Sequence, residues 1–491
     1  MILNLLLSLA SGILLVSLYP PLGWAALAPF ALLPLLVAVA REPRGGLRFL
    51  WGYAAGAVYW TGLCYWIRWV LEVHGGMGIW GSYGAFALFA AAKALHMGAF
   101  AWLAGLAIGR WYAIPVVAAF WVVIERLHGP LGFAWLALGD AATDMGAPLR
   151  LAPYTGVYGV SFLIAAMNVA LALAALRRRR LELAWILAVP FVFLLPAMPD
   201  ATAGTRDAVM VQPNLPASGR WTAESLYATQ QRLAALSLRS ALAAGQQRPL
   251  LILWPETPAP FYYQEDARFR ALVERLARST GAGVLLSAVG HTSAGAPLNS
   301  AYLVDERGQL AGRYDKLFLV PFGEYVPPLF GWVNRITQEA GDFTPGKRLV
   351  LLRAAGRDTG VFICYESAFP YLVRRFAAAG AELLVNLSND GYFGRSAARE
   401  QHLRLVRMRA AENRRWILRA TNDGITAAID PAGRVMHRLP PYAELSARSS
   451  FSYQSARTFY TLHGDWFVWL CVLAGLAAAI ERQFPRYRRP E

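Results

Sequence analysis

Between Ile2 and Met198 the chain returns repeatedly to apolar runs close to the length of about 20 residues that a helix needs to cross a bilayer core. These runs lie near Ile2–Leu18, Trp24–Ala40, Leu50–Val70, Ser82–Ile108, Trp111–Ile124, Val157–Leu176 and Leu183–Met198, with an eighth near Trp466–Ile480. Such a pattern restricts the first 200 residues to helices, because backbone inside hydrocarbon must satisfy its own hydrogen bonds. The first run has no basic segment before it and further runs follow at once, so it reads as a span rather than a cleaved leader.

Charge supports this reading and sets an orientation. With 47 Lys+Arg against 31 Asp+Glu, a net charge of +16 first suggests a nucleic-acid partner. Only 16% of residues are charged, however, and 17 Trp and 24 Phe are far more than such proteins carry, so a membrane is the better partner. If Met1 is cytoplasmic, the loops after the second, fourth and sixth runs and the C-terminal tail hold 12 basic and 4 acidic residues, as the positive-inside rule requires. The Arg177–Arg180 run is then a topology signal. Residues 1–199 are expected to form a seven-span bundle, 200–464 an outer domain, and 465–491 an eighth span with a basic tail. The outer stretch holds 31 basic and 22 acidic residues and would sit against anionic lipid.

Past Asp200 the pattern changes. Buried strands are expected at Asp207–Gln212, Leu250–Trp254, Gly283–Val289, Ser300–Val304, Gly360–Cys364, Leu383–Leu387 and Ile425–Ile429. Helices are expected between them at Thr222–Ala244, Asp266–Thr280, Phe369–Ala379 and Ala397–Asn413. That alternation predicts a layered α/β domain.

Three segments of this domain carry groups suited to catalysis. Cys364 ends the strand Val361–Ile363, where backbone N–H groups and a helix start would favour a thiolate. Glu256 emerges where the run Leu250–Leu253 stops, and Lys316 follows Tyr314-Asp315. Singly, the cysteine reads as core and the two charges as solvated surface. Together they supply a nucleophile, a base and a cation. With three cysteines, two in apolar runs, no disulfide framework is expected, and with no Cys-x-x-Cys and no clustered histidines, neither is a metal or cofactor.

Glu256 in Trp254-Pro255-Glu256, Lys316 in Tyr314-Asp315-Lys316 and Cys364 in Ile363-Cys364-Tyr365-Glu366 resemble, in that order, the Glu-Lys-Cys triad of the nitrilase superfamily. Asn386–Gly391 is similar to a later strand-to-turn segment of the same superfamily. With the membrane runs on either side, the whole chain resembles the apolipoprotein N-acyltransferases, its membrane-embedded branch. The resemblance implies an αββα sandwich on an eight-span bundle in the bacterial inner membrane, facing the periplasm and acting as a monomer. It implies acyl transfer from a phospholipid, through a thioester on Cys364, to the N-terminal amine of a diacylated apolipoprotein. Glu256 would be the base and Lys316 the cation beside the tetrahedral intermediate. It also points to Glu324 and Glu366 as acidic groups that orient Lys316 or hold the incoming ammonium, to Tyr365 beside the thiol, and to Trp221 near the substrate entrance. The apolar segments Tyr325–Trp332 and Tyr392–Phe393 are expected to form a collar around the thiol.

Two other readings stand beside this one. A membrane-tethered amidase would use the same triad, though it needs no eight spans. A transporter or lipid receptor would keep Cys364 as filler. Within the spans, Lys93 and His96 share a helix face and Glu125-Arg126 lies at a membrane edge, where an internal polar pair or a snorkelling side chain is the expected role. His402 is expected to be structural.

Overall fold

The apolar runs beyond Asp200 fold as strands buried on both faces, which is why they read as continuous rather than alternating. In the computed structural model all residues are described except 131–132, 179, 217–220, 244–246, 258, 322, 326–342 and 484–491. The chain separates into two compact units, one of residues 1–65, 86–198 and 463–491, the other of residues 66–85 and 199–462.

In the second unit two six-stranded sheets pack face to face. The strands are β1 (Arg206–Gln212), β2 (Leu251–Leu253), β3 (Gly283–His291), β4 (Pro297–Val304), β5 (Leu310–Asp315), β6 (Leu351–Ala354), β7 (Arg357–Ile363), β8 (Leu383–Ser388), β9 (Ile417–Thr421), β10 (Ala427–Ile429), β11 (Val435–Arg438) and β12 (Leu445–Phe451). The first sheet runs β12-β1-β2-β3-β4-β5 and the second β11-β10-β9-β8-β7-β6. Each has a parallel centre, β1-β2-β3 and β7-β8-β9, with antiparallel flanks.

Helices Ala223–Ala241 and Ala267–Thr280 cross over within the first sheet, and Pro370–Ala379 and Ala398–Asn413 within the second. Local chemistry sets their limits. Asp266 accepts the amides of Arg268 and Phe269 to start one helix, and Gly281, at φ 67°, ends it in a conformation glycine adopts without penalty. The consequence for function is positional: the parallel strands β2, β7 and β8 all deliver the chain at their carboxyl ends to one place.

The first unit is helical. Gly78–Ala107, whose first turns group with the second unit, and Ala152–Ala175 are long and apolar enough to cross a membrane. Ile2–Ser17, Ala25–Arg41, Leu181–Leu194 and Trp466–Glu481 are shorter apolar helices. Prolines account for two places where the helices depart from the apolar runs. The second run breaks into a 3₁₀ turn, Ala25–Phe30, containing Pro29, and a helix, Leu33–Arg41, opened by Pro34. The seventh is an 11-residue 3₁₀ segment, Ala184–Leu194, containing Pro190, rather than a continuous α-helix.

Asn168 repairs the break in the second run. Its Oδ1 accepts the amides of Leu32 (2.7 Å) and Leu33 (3.1 Å), and its Nδ2 donates to Ala28 O at 2.8 Å. Because the side chain is fully buried, Asn168→Leu leaves these groups unpaired and should cost about 1–3 kcal/mol per orphaned group. A melting temperature in detergent several degrees below that of the parent chain is expected; an unchanged value would show that the bonds do not hold this junction.

Candidate active site

The carboxyl end of β2 delivers Glu256, the end of β7 delivers Cys364, and Lys316 follows the last residue of β5. Register explains the third. Ser300 pairs with Asp315, so Asn299 lies opposite Lys316, and Lys316 N donates to Asn299 O at 2.9 Å. All three side chains are buried rather than solvated, which removes the surface-charge reading of Glu256 and Lys316.

Lys316 Nζ stands 2.9 Å from Glu256 Oε1 and 2.8 Å from Glu324 Oε2. Asn299 Nδ2 bridges the same two carboxylates, donating to Glu256 Oε1 at 2.8 Å and Glu324 Oε1 at 2.7 Å. Backbone amides complete the cluster: Asn389 N donates to Glu256 Oε2 (3.0 Å), and Val320 N to Glu324 Oε2 (2.8 Å). Burial alone would push the Lys316 ammonium down, but the two carboxylates outweigh it and hold it well above its ordinary value.

Cys364 begins a 3₁₀ turn, Cys364–Ala368, with φ 50°, and Thr257, directly after Glu256, has φ 21°. Non-glycine residues held at positive φ cost of order 1–3 kcal/mol each and cluster at functional sites. The thiol itself corrects an expectation. It is buried, and its pKa is raised, first by desolvation and then by Glu256, with Lys316 opposing without prevailing. The resting group is therefore a neutral thiol, not a thiolate favoured by helix start and lysine, and needs a base at the moment it attacks.

The other expected residues divide. Glu324 sits on Lys316. Glu366 is turned to a hydroxyl and to backbone amides instead: Oε1 accepts Tyr314 OH (2.8 Å), Leu317 N (2.7 Å) and Phe318 N (3.3 Å), and Oε2 accepts Ile363 N at 2.6 Å. It is fully buried, and desolvation lifts its carboxyl to about 7 against those bonds and Lys316. It ties the segment after Lys316 to the strand before Cys364. Tyr365 is buried with its ring edge-on to Phe369 at 5.0 Å. Trp221 packs, partly buried, against the apolar core of the first sheet, and the preceding Gly219-Arg220 lies outside the described residues.

Of the expected collar, Val326–Trp332 lies outside the described residues, while Tyr392 meets His74 at 4.6 Å and Phe393 meets Trp66 at 4.8 Å between ring centroids. The segment around Trp66–Val73, read from sequence as the end of a span, thus packs on the turn that follows Asn389. Sequence reasoning also missed Asn299 and Asn389. The Asn386–Gly391 motif was the one signal that pointed toward the latter.

Several known proteins are similar to this chain. A family model described as carbon-nitrogen hydrolase matches residues 210–449, and one described as apolipoprotein N-acyltransferase N-terminal domain matches residues 11–170. The apolipoprotein N-acyltransferase of Geobacter metallireducens is 33% identical over 508 residues, covering 98% of this chain and 95% of its own. That of Methylococcus capsulatus is 34% identical over 498 residues, covering 98% and 96%. Among solved structures, an amidase from Nesterenkonia sp. is 20% identical with a TM-score of 0.38, covering 55% of this chain and 97% of its own.

Removing Lys316 leaves two buried carboxylates without their cation. Breaking a buried pair in this way costs about 3–5 kcal/mol, so Lys316→Met should lower the melting temperature markedly, and more than Glu324→Gln does. Equal, small shifts for both variants would show that the ammonium does not hold this cluster.

Proposed function

The chain belongs to the apolipoprotein N-acyltransferase family, and we propose that it performs N-acylation of lipoproteins by a ping-pong reaction at Cys364. It is an acyltransferase built on a nitrilase-type α/β domain. The observation that carries the mechanism is the buried cluster of Glu256, Lys316 and Glu324 joined through Asn299, with Cys364 buried beside it.

In the first half-reaction Cys364 Sγ attacks the ester carbonyl of a phospholipid while Glu256 takes the thiol proton. Collapse of the tetrahedral intermediate breaks the C–O bond, and Glu256 returns the proton to the departing lysophospholipid. In the second, Glu256 accepts a proton from the N-terminal amine of a diacylglyceryl-cysteine as nitrogen attacks the thioester carbonyl, the C–S bond breaks, and Glu256 returns the proton to Cys364 Sγ. Lys316 stays charged throughout and offsets the oxyanion in both halves, with a backbone N–H. Glu324 keeps Lys316 in place. Glu366 is better suited to fixing the backbone on both sides of the site than to holding an ammonium, since both its oxygens are occupied by the protein.

The setting is that of two lipid substrates. Drawing an acyl chain into water costs about 0.8 kcal/mol per CH₂, so the reaction belongs at a membrane surface. We assign the chain to the bacterial inner membrane with eight spans, two of them supported by the length and hydropathy of Gly78–Ala107 and Ala152–Ala175. The arginine distribution supports a periplasmic position for residues 200–464. Tyr392 and Phe393 would line the approach for acyl chains.

In vesicles supplied with phospholipid and a diacylglyceryl-cysteine peptide, the parent chain should produce triacylated peptide with little free fatty acid. Cys364→Ser and Glu256→Gln should each lower that rate by about 10² or more, as expected for the loss of a nucleophile or general base. Release of free fatty acid or ammonia in place of peptide acylation would favour a hydrolase. Undiminished transfer by Cys364→Ser would overturn the thioester route.

A further inference from the structure

The strand-to-turn segment at Cys364 is underpinned by a fully buried polar network that the reaction above does not use. His402, on the helix Ala398–Asn413, points one nitrogen at an ion pair and the other at the nucleophile's own backbone. Nδ1 lies 2.9 Å from Asp390 Oδ1, and Nε2 lies 3.0 Å from Cys364 O and 2.9 Å from Ser367 Oγ. Asp390 is bound through both oxygens by Arg419 Nη2, at 3.0 and 2.7 Å, and accepts Ser388 Oγ at 2.9 Å. His402, Asp390, Arg419 and Ser388 are all fully buried.

Asp390 already has a guanidinium and a hydroxyl, so its charge does not require the histidine. What His402 adds is reach to Cys364. A carbonyl oxygen only accepts, so this contact is a hydrogen bond when the hydrogen is on Nε2, the arrangement favoured by Arg419 Nη2, a donor 3.2 Å from Nδ1. The Cys364–Tyr365 peptide is trans, since the cis bond among the described residues is Pro20–Pro21. In a planar trans peptide C=O and N–H point in opposite directions. Fixing Cys364 O toward His402 therefore fixes Tyr365 N–H toward the other side of the turn. That N–H belongs to the residue after the nucleophile, the position from which a backbone donor meets the oxyanion formed at the attacked carbonyl. Cys364 is also held at φ 50°, a conformation a non-glycine residue leaves readily unless its surroundings hold it.

We infer that His402 is a positioning residue for acyl transfer, holding the Cys364 carbonyl so that the Tyr365 amide is aimed at the developing oxyanion. The inference rests on Cys364 being the nucleophile. Its test separates formation of an oxyanion from reactivity of the thiol. In the full-length chain, single-turnover thioester formation from a phosphatidylethanolamine vesicle reads the first. Alkylation of Cys364 by iodoacetamide, a displacement with no oxyanion, reads the second.

Glutamine places an N–H near the position of Nε2, whereas asparagine reaches only the position of Nδ1. His402→Gln should acylate within about tenfold of the parent chain, and His402→Asn and His402→Leu should lose about 10²-fold, the cost of one oxyanion donor. Alkylation should change less than about threefold in all three. Unchanged acylation in His402→Leu, or acylation and alkylation falling by the same factor in every variant, overturns the inference. Should His402→Leu fail to fold, the pair Gln and Asn still decides, because equal acylation by the two contradicts it. If the parent chain itself forms no thioester, the reading of Cys364 as nucleophile fails instead.

Discussion

A single buried ammonium organises the site. Lys316 is held between Glu256 and Glu324, and it exists there as a cation because both carboxylates face it, while Asn299 bridges the two carboxylates. The dependence runs in both directions, since each carboxylate would be an unpaired buried charge without the lysine. This arrangement fixes the oxygens of Glu256 in the middle of the domain with no water needed to solvate them. Burial first and Glu256 second push the Cys364 thiol up against Lys316, so its proton leaves as a carbonyl arrives to be attacked. Reactivity is thereby confined to the moment when proton transfer and bond formation occur together, which suits an enzyme whose thioester must wait for a second lipid substrate.

Two sets of backbone anchors convert this electrostatic cluster into a geometry. Glu366 gathers Leu317 and Phe318 from the segment after Lys316 and Ile363 from the strand before Cys364. From the opposite side, His402 meets the carbonyl of Cys364. The nucleophile is thus gripped upstream and downstream, which is how a strained φ persists at this point of the fold. Neither anchor needs to touch substrate to matter.

Much of this was legible in the sequence because hydrophobic burial writes itself as runs. The strands that lead to Glu256 and Cys364 end in the apolar runs Leu251–Leu253 and Val361–Ile363, and the helices between the strands keep a clear period. What escaped reading was polar. Strand β9 was missed because Arg419 interrupts it, a charge placed there to meet Asp390 across the sheet. Strands β5, β11 and β12 carry polar residues on partly exposed faces and so have no apolar signature. Asn299 and His402 take their roles from partners distant in sequence, Glu256 for the first and Cys364 for the second, and no local pattern announces such a contact. The expectation of a thiolate failed for a related reason. A strand end before a helix suggests stabilisation of an anion, while the burial that opposes it depends on the whole domain.

A ping-pong transfer requires covalent capture of an acyl group by Cys364. The direct measurement is the intact mass of the purified chain after exposure to phospholipid with no acceptor present, followed by peptide mapping. An added fatty acyl mass, located on Cys364, released by hydroxylamine and absent from Glu256→Gln at the same time point, is the predicted result. A chain that transfers acyl groups to added lipopeptide at full rate yet never carries such an adduct would contradict it.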